Sequence, residues 1–440
     1  MIVRLTFYML LNNPESFGKY ELLTNIRLSK FKPMKPIKVA VLKETKTPPD
    51  RRVVLTPVQV MKVKTQFPHV DVVVQPSELR CFKDEEYERL GIRMQGDITN
   101  CDILMGVKEA KIDSLIPKKK YMFFSHTHKK QDYNRPLLQA FIDKQIQIID
   151  HECLTDDYGI RLVAFGRWAG IVGAYNGLIA YGKRTGKYEL TRANNCFDMQ
   201  QMLQEVEHVQ LPSNFKILIT GGGRVASGAL ETLEPLYLHR VSPEDFLTKT
   251  FDEPVLCQID ANQYVELKEG GWKDFPHFFD NPSEYKSTFE QFSKNADMWI
   301  PCHFYGPDSP AFLKPEDYRE PDFNIKVIAD VSCDIADPIP STLRSSTIAD
   351  PFYGYDPVKE KEADPWNEKN VTVMAVDNLP GELPRDASEA FGERLIEAVF
   401  PYLFDTDNPD NEVTMRASIT KDGKLTNDYS YLQDFLEGKE

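Results

Sequence analysis

A short apolar run that breaks into glycines and then into a helical pattern leaves a chain few folds to choose from. Lys216–Thr220 reads Lys-Ile-Leu-Ile-Thr; Gly221-Gly-Gly-Arg-Val-Ala226-Ser-Gly228-Ala229 follows, and then the apolar-periodic stretch 230–238. A strand that turns on glycines into a helix is the first unit of a doubly wound, dinucleotide-binding domain. Gly221 allows the tight turn, Gly223 lets backbone approach a pyrophosphate, and Ala226 packs helix on strand. The new helix opens at Arg224 and Val225, where free N–H groups and the positive helix end attract phosphate. A tight turn without ligand is the rival reading. An acid at the end of the next strand would hold the ribose of NAD, but Arg240-Val-Ser-Pro-Glu-Asp245 stands where it is sought. Arg with Ser suits the extra phosphate of NADP, so the turn leaves NAD or NADP open.

At 440 residues the chain exceeds what one core usually serves, so two domains with a cleft between them are expected. Upstream of the turn, β-branched runs at 37–42, 70–74, 103–106, 121–125 and 146–150 alternate with helical stretches at 56–66 and 135–144. Strand and helix in alternation mean an α/β domain. Thr56-Pro57 is a helix start, a capping hydroxyl before a first-turn proline. Stretch 163–183 reads as one long helix rich in Gly and Ala, 187–211 as a polar linker, and 356–365 as a loop. The last strong strands are at 325–331 and 371–376. Residues 1–36 read as a non-catalytic extension.

A net charge of -14 repels a phosphate backbone, so no nucleic-acid partner is expected. Seven scattered cysteines without a C-x-x-C pair suit a reducing compartment, and no apolar run reaches the roughly 20 residues of a membrane span. A cytoplasmic protein that does not enter membranes, monomeric or a small homo-oligomer, is the expectation.

Three strand ends in the first half carry charge: Lys46 and Arg52, Lys108, and His126. Ligands of open α/β sheets bind at such ends. Arg forks onto carboxylates, a desolvated Lys becomes a base near neutrality, and His titrates there unaided. Each taken singly reads as a solvated surface residue; together they read as a site. His126-Thr-His128 invites a metal, but no Asp, Cys or further His at useful spacing completes a shell, so no metal is expected.

These residues carry a resemblance. Val41-Leu-Lys-Glu-Thr-Lys46 with Arg52-Val-Val-Leu-Thr-Pro57 resembles the opening of the alanine dehydrogenase and transhydrogenase superfamily. Phe124-Ser-His126-Thr-His-Lys-Lys-Gln131, Gly159-Ile-Arg161 to Gly170, Asp330-Val-Ser-Cys-Asp334 and Asp377-Asn-Leu-Pro-Gly-Glu to Ser388 resemble lysine-forming saccharopine dehydrogenases. The similarity is strongest to the lysine/2-oxoglutarate reductase half of a bifunctional enzyme. It implies two Rossmann-like doubly wound domains with a cleft between them, the first completed by the C-terminal segment. The bounds it implies are 37–163 for the substrate domain, 164–377 for the dinucleotide domain and 378–440 for the return. It also implies an NAD(P)-dependent interconversion of saccharopine with lysine and 2-oxoglutarate, an amino acid and a 2-oxo acid. Lys108 and His126 would move protons; Lys46, Arg52, Gln131, Glu152 and Arg161 would hold substrate; Cys302, Asp330, Asp334, Asp377 and Leu379 would line the cofactor. The alternatives are an alanine dehydrogenase-like reductive amination and a nucleotide-binding homologue without catalysis.

Overall fold

The alternation in the sequence becomes two sheets that meet at their strand ends. The computed structural model describes residues 35–306 and 308–439. All but the last two residues of the expected N-terminal extension lie outside them. Strands β1 (Ile37–Val41), β2 (Val70–Val74), β3 (Ile103–Lys108), β4 (Lys120–Phe124) and β5 (Gln147–Asp150) lie parallel in the order β2-β1-β3-β4-β5. They are buried on both faces, which is why they read as near-continuous apolar runs. The helix Pro57–Gln66 starts as its sequence predicts. Thr56 Oγ1 accepts from the Gln59 N–H at 3.3 Å and Gln59 Oε1 accepts from the Thr56 N–H at 3.0 Å, a reciprocal cap that satisfies two otherwise orphaned donors.

The second sheet takes β6 (Lys216–Thr220), β7 (His239–Arg240) and β8 (Val255–Ile259). After a small antiparallel pair, β9 (Val265–Leu267) with β10 (Tyr285–Ser287), it adds β11 (Met298–Pro301), β12 (Val327–Ala329), β13 (Phe352–Asp356), β14 (Lys361–Ala363) and β15 (Val371–Met374). The order is β14-β13-β15-β12-β11-β6-β8-β7, parallel except for β13, which runs antiparallel to both of its neighbours. The chain then returns to the first sheet. Helix Pro384–Ala398 buries Phe391, Leu395 and Ile396 in the first core, β16 (Ser418–Lys421) pairs antiparallel with β5, and β17 (Lys424–Leu425) closes the edge. The architecture is α/β, with two Rossmann-like sheets and the first completed from the C-terminus.

Local readings fail in four places. Linker 187–211 contains the helix Met199–Val206, capped by Asp198 on the Gln201 N–H at 2.9 Å; its Gln-rich surface hid the period of Met202 and Val206, which alone are buried. Stretch 356–365 is a hairpin, because β14 pairs back onto β13. Strands β16 and β17 follow the ones taken as last. The long helix runs Gly166–Thr185, starting after Phe165.

That helix crosses the glycine-turn helix, Arg224–Leu233, backbone against backbone. A Cβ on Gly170 would lie 1.8 Å from the Val225 carbonyl oxygen, and one on Gly228 would lie 2.0 Å from that of Arg167. Glycine normally weakens a helix; here it sets the distance between two helices. Among the described residues no helix is long and apolar enough to cross a membrane.

Candidate active site

β6 delivers the chain into a cradle of bare backbone. Gly221 takes φ +106°, and a Cβ there would meet the Cys302 carbonyl oxygen at 2.6 Å; one on Gly222 would meet Asp260 Oδ2 at 2.6 Å. Gly223 faces open space. The turn opens on a cavity of about 520 Å³ lined also by Arg224, Val225, Asp260, Cys302 and His303. Exposed backbone amides at a helix start, with no side chain in front of them, fit a dinucleotide pyrophosphate. Asp260 corrects the sequence reading. The strand that pairs with β6 along its whole length is β8, and Asp260 ends it. β7, where the acid was sought, is a two-residue edge strand beyond β8, and Arg240 on it is exposed away from the turn. The acid is present, displaced along the chain by an inserted edge strand and the helix Pro243–Thr248.

The other expected cofactor residues divide. Cys302 contributes its carbonyl to the cradle while its thiol is buried. Asp330 builds its own loop: Oδ1 accepts from Ser332 Oγ at 2.6 Å and from the N–H groups of Ser332 and Cys333, and Oδ2 accepts from Thr342 Oγ1 at 2.6 Å. Leu379 is buried in the second core. Asp334 and Asp377 are exposed.

In the first sheet the strand ends converge. Asp50 and Arg52 form a buried fork, Nε to Oδ1 at 3.0 Å and Nη2 to Oδ2 at 2.6 Å. Asn378 closes it from the second sheet's final loop, accepting from Arg52 Nη2 at 2.8 Å and donating to Asp50 at 3.2 Å. The guanidinium lies 4.2 Å from the Phe165 ring centroid. Burial alone would raise the Asp50 carboxyl, but the Arg52 charge outweighs it and holds the carboxyl well below its usual range. Arg52 Nη1 has no partner among the described residues.

Lys108 ends β3, its Nζ without hydrogen bond or ion pair among the described residues. Burial, with Arg52 beside it, pulls its ammonium down to about 8. Glu44 accepts from the Val107 and Lys108 N–H groups at 2.7 and 2.9 Å, and desolvation pushes its carboxyl up to about 8. On the neighbouring strand Phe124 pairs with Lys108, and the His126 ring stacks on Phe124 at 5.9 Å. His126 takes φ +54° while its N–H donates to Asp150 Oδ2 at 3.0 Å. Its Nδ1 meets Glu152 Oε2 at 2.9 Å, which leaves Nε2 free of hydrogen bonds among the described residues. Against burial, His126, Lys129 and Arg161 hold the Glu152 carboxyl well below its usual range. An ionised Glu152 makes Nδ1 the donor and Nε2 the basic nitrogen.

Arg161 links the halves, with Nη1 on Glu152 at 3.4 Å and its carbonyl accepting from Arg224 Nη2, on the glycine-turn helix, at 3.1 Å. Lys46 is paired with Glu109 at 3.0 Å. Gln131 is exposed and bonded to Tyr133 and Asn134, outside the convergence. The structure also corrects the metal argument, since Asp150 and Cys153 do come within 4.8 Å of His128. Asp150 is nonetheless committed to the Ser125, His126 and Glu152 N–H groups and to Ser125 Oγ.

Comparison with known proteins agrees. Residues 40–172 match the family model described as "Alanine dehydrogenase/PNT, N-terminal domain". An alpha-aminoadipic semialdehyde synthase of Rattus norvegicus is 30% identical over 423 residues, 84% of this chain and 45% of that one. A saccharopine dehydrogenase [NAD(+), L-lysine-forming] of Yarrowia lipolytica is 27% identical over 387 residues, 83% and 92%. The chain spans about half the length of the semialdehyde synthases it matches. A solved L-alanine dehydrogenase superposes with TM-score 0.62 at 15% identity, covering 92% of this chain and 100% of that one, and a transhydrogenase from Sinorhizobium meliloti with 0.52 at 15%, covering 88% and 98%; these show the fold. The family resemblance read from the motifs is borne out.

Sequence reasoning missed Glu44, Asp50, Phe165, Asn378 and Asp260. Four of them lie in or beside the quoted motifs, one to four positions from a charged residue named there. Asp260 carried a signal of its own, an Asp directly after the apolar run Val255–Ile259, masked by the inserted strand.

Proposed function

We propose that this chain is an NAD-dependent oxidoreductase of the carbon–nitrogen bond, joining lysine to 2-oxoglutarate as saccharopine or separating them. The observation that carries the reading is a Lys108 ammonium without a partner among the described residues and a Glu152-oriented His126 on neighbouring strand ends, tied through Arg161 to a bare-backbone dinucleotide turn. The saccharopine dehydrogenase relatives support the substrate class.

In the joining direction the lysine ε-amine attacks the C2 carbonyl of 2-oxoglutarate. Nε2 of His126 takes the proton released from the attacking nitrogen and returns it to the new alkoxide, giving the carbinolamine hydroxyl, and Glu152 stabilises the transient imidazolium through Nδ1–H. Lys108, with its pKa near 8, donates to the carbinolamine oxygen as it departs as water; in reverse, neutral Lys108 deprotonates the incoming water. A nicotinamide cofactor bound at the glycine turn would supply the hydride that the carbon–nitrogen double bond requires. Arg52 Nη1 and Lys46 receive substrate carboxylates. Each proton-transfer group contributes about 10²- to 10⁴-fold. Gly221 to Ala226 would cradle the pyrophosphate, and Asp260 would accept from the ribose hydroxyls and repel a 2′-phosphate, which favours NAD over NADP.

The test is nicotinamide oxidation with lysine plus 2-oxoglutarate against ammonia plus pyruvate. The expected result is turnover with the first pair and a higher kcat/KM for NADH than for NADPH. Turnover with the second pair alone would overturn the substrate assignment.

A further inference from the structure

A second cavity, of about 700 Å³, shares no lining residue with the glycine-turn cavity and none with the convergence of Arg52, Lys108 and His126. Its walls come from both halves of the chain. Arg51, Lys83 and Arg89 belong to the segments around Cys81 and Phe82, which pack in the core of the first sheet. Phe197 stands between Cys196 and Met202, which pack in the core of the second. Arg385, on the returning helix, joins the two. Its guanidinium lies 4.1 Å from the Phe82 ring centroid and 4.7 Å from that of Phe197, and its Nη2 donates to Glu86 at 3.0 Å.

Charge selects one part of the occupant. Four cations, Arg51, Lys83, Arg89 and Arg385, line the cavity against two carboxylates, Glu85 and Glu86, a positive excess of two in a chain whose net charge is -14. A local field of that sign draws in an anion. Arg385 is committed to Glu86, and the Lys83 ammonium donates to the Glu78 carbonyl at 3.3 Å. The guanidinium groups of Arg51 and Arg89, by contrast, have no hydrogen bond or ion pair among the described residues. A guanidinium left open presents a planar fork that matches two oxygens of a phosphate.

The ring selects the other part. Phe197 is 65% exposed although Arg385 sits over it, and an open aromatic ring is a stacking platform for a planar base. The volume is that of a site for a whole small molecule rather than for a bare inorganic ion. We propose that this cavity binds a nucleoside monophosphate, its phosphate on Arg51 and Arg89 and its base on Phe197, at a place between the two halves and separate from the glycine turn.

The Arg51, Arg89 and Phe197 side chains are all exposed, so their truncation leaves both cores intact. The experiment titrates AMP, and inorganic phosphate as a control, into the full-length chain by calorimetry, with NADH at saturation so that the glycine turn is already filled. It compares wild type with the double variant Arg51→Ala/Arg89→Ala and with Phe197→Ala. Wild type is expected to bind one AMP per chain with NADH in place. The double arginine variant should bind AMP at least about tenfold more weakly. Phe197→Ala should lose about fivefold or more for AMP while its affinity for inorganic phosphate is unchanged. AMP binding that disappears at saturating NADH, that survives undiminished in the double arginine variant, or that is no tighter than binding of inorganic phosphate overturns the proposal.

Discussion

Lys108 folds against its own solvation. Its ammonium is drawn into a crowded strand end beside Arg52 with no acceptor among the described residues, and its pKa falls to about 8. A base whose folded pKa lies below its unfolded value of 10.5 opposes folding most strongly below pH 8, and the penalty fades as pH rises toward 10.5. Lys108→Met should therefore melt higher than wild type at pH 7, by a margin that shrinks toward pH 10. Equal melting temperatures at pH 7 would mean that the ammonium is not desolvated. Arg52 is the opposite case. Removing it leaves Asp50 buried and unpaired, so Arg52→Met should cost about 3–5 kcal/mol in urea unfolding; a loss below 1 kcal/mol would show that Asp50 finds water or a proton instead. The charge at strand ends was legible because Lys, Arg and His stand out after apolar runs. The partners were not, since Asp50 and Asn378 are 328 positions apart and only the fold brings them together.

At the scale of elements, the close crossing of the helices Gly166–Thr185 and Arg224–Leu233 carries the geometry of the turn. Gly170→Ala would drive a methyl into the Val225 carbonyl, and the helices must separate to admit it. Overpacking of this kind typically costs 1–3 kcal/mol. The expected result is a loss of about that size in urea unfolding together with weaker NADH binding; unchanged NADH affinity would uncouple the crossing from the turn. The small-residue pattern announced close approach without naming the partner. Element reading failed where period was disguised, as in Met199–Val206 with its Gln-rich face, or where pairing was non-local, as in β16 joining β5. The missing acid was an error of this kind, because sequence order places β7 after the turn while the sheet places β8 beside it.

At the scale of the whole molecule, two sheets bring their strand ends together, and the contacts across them include polar ones, Asn378 on Asp50 and Arg52 and Arg224 on the Arg161 carbonyl, beside the Phe165 ring stacked on Phe391. The glycine turn fixed one of these sheets from sequence alone. The C-terminal return to the other was legible only through resemblance, because a helix and two short strands carry no sign of where they pack. The account rests on Lys108 moving protons beside a dinucleotide held independently of it. The most direct measurement pairs turnover with lysine, 2-oxoglutarate and NADH against the NADH dissociation constant, in wild type and in Lys108→Met. A kcat lower by about 10²- to 10⁴-fold with the dissociation constant unchanged within a factor of about two is the predicted result; wild-type turnover in the variant would contradict it.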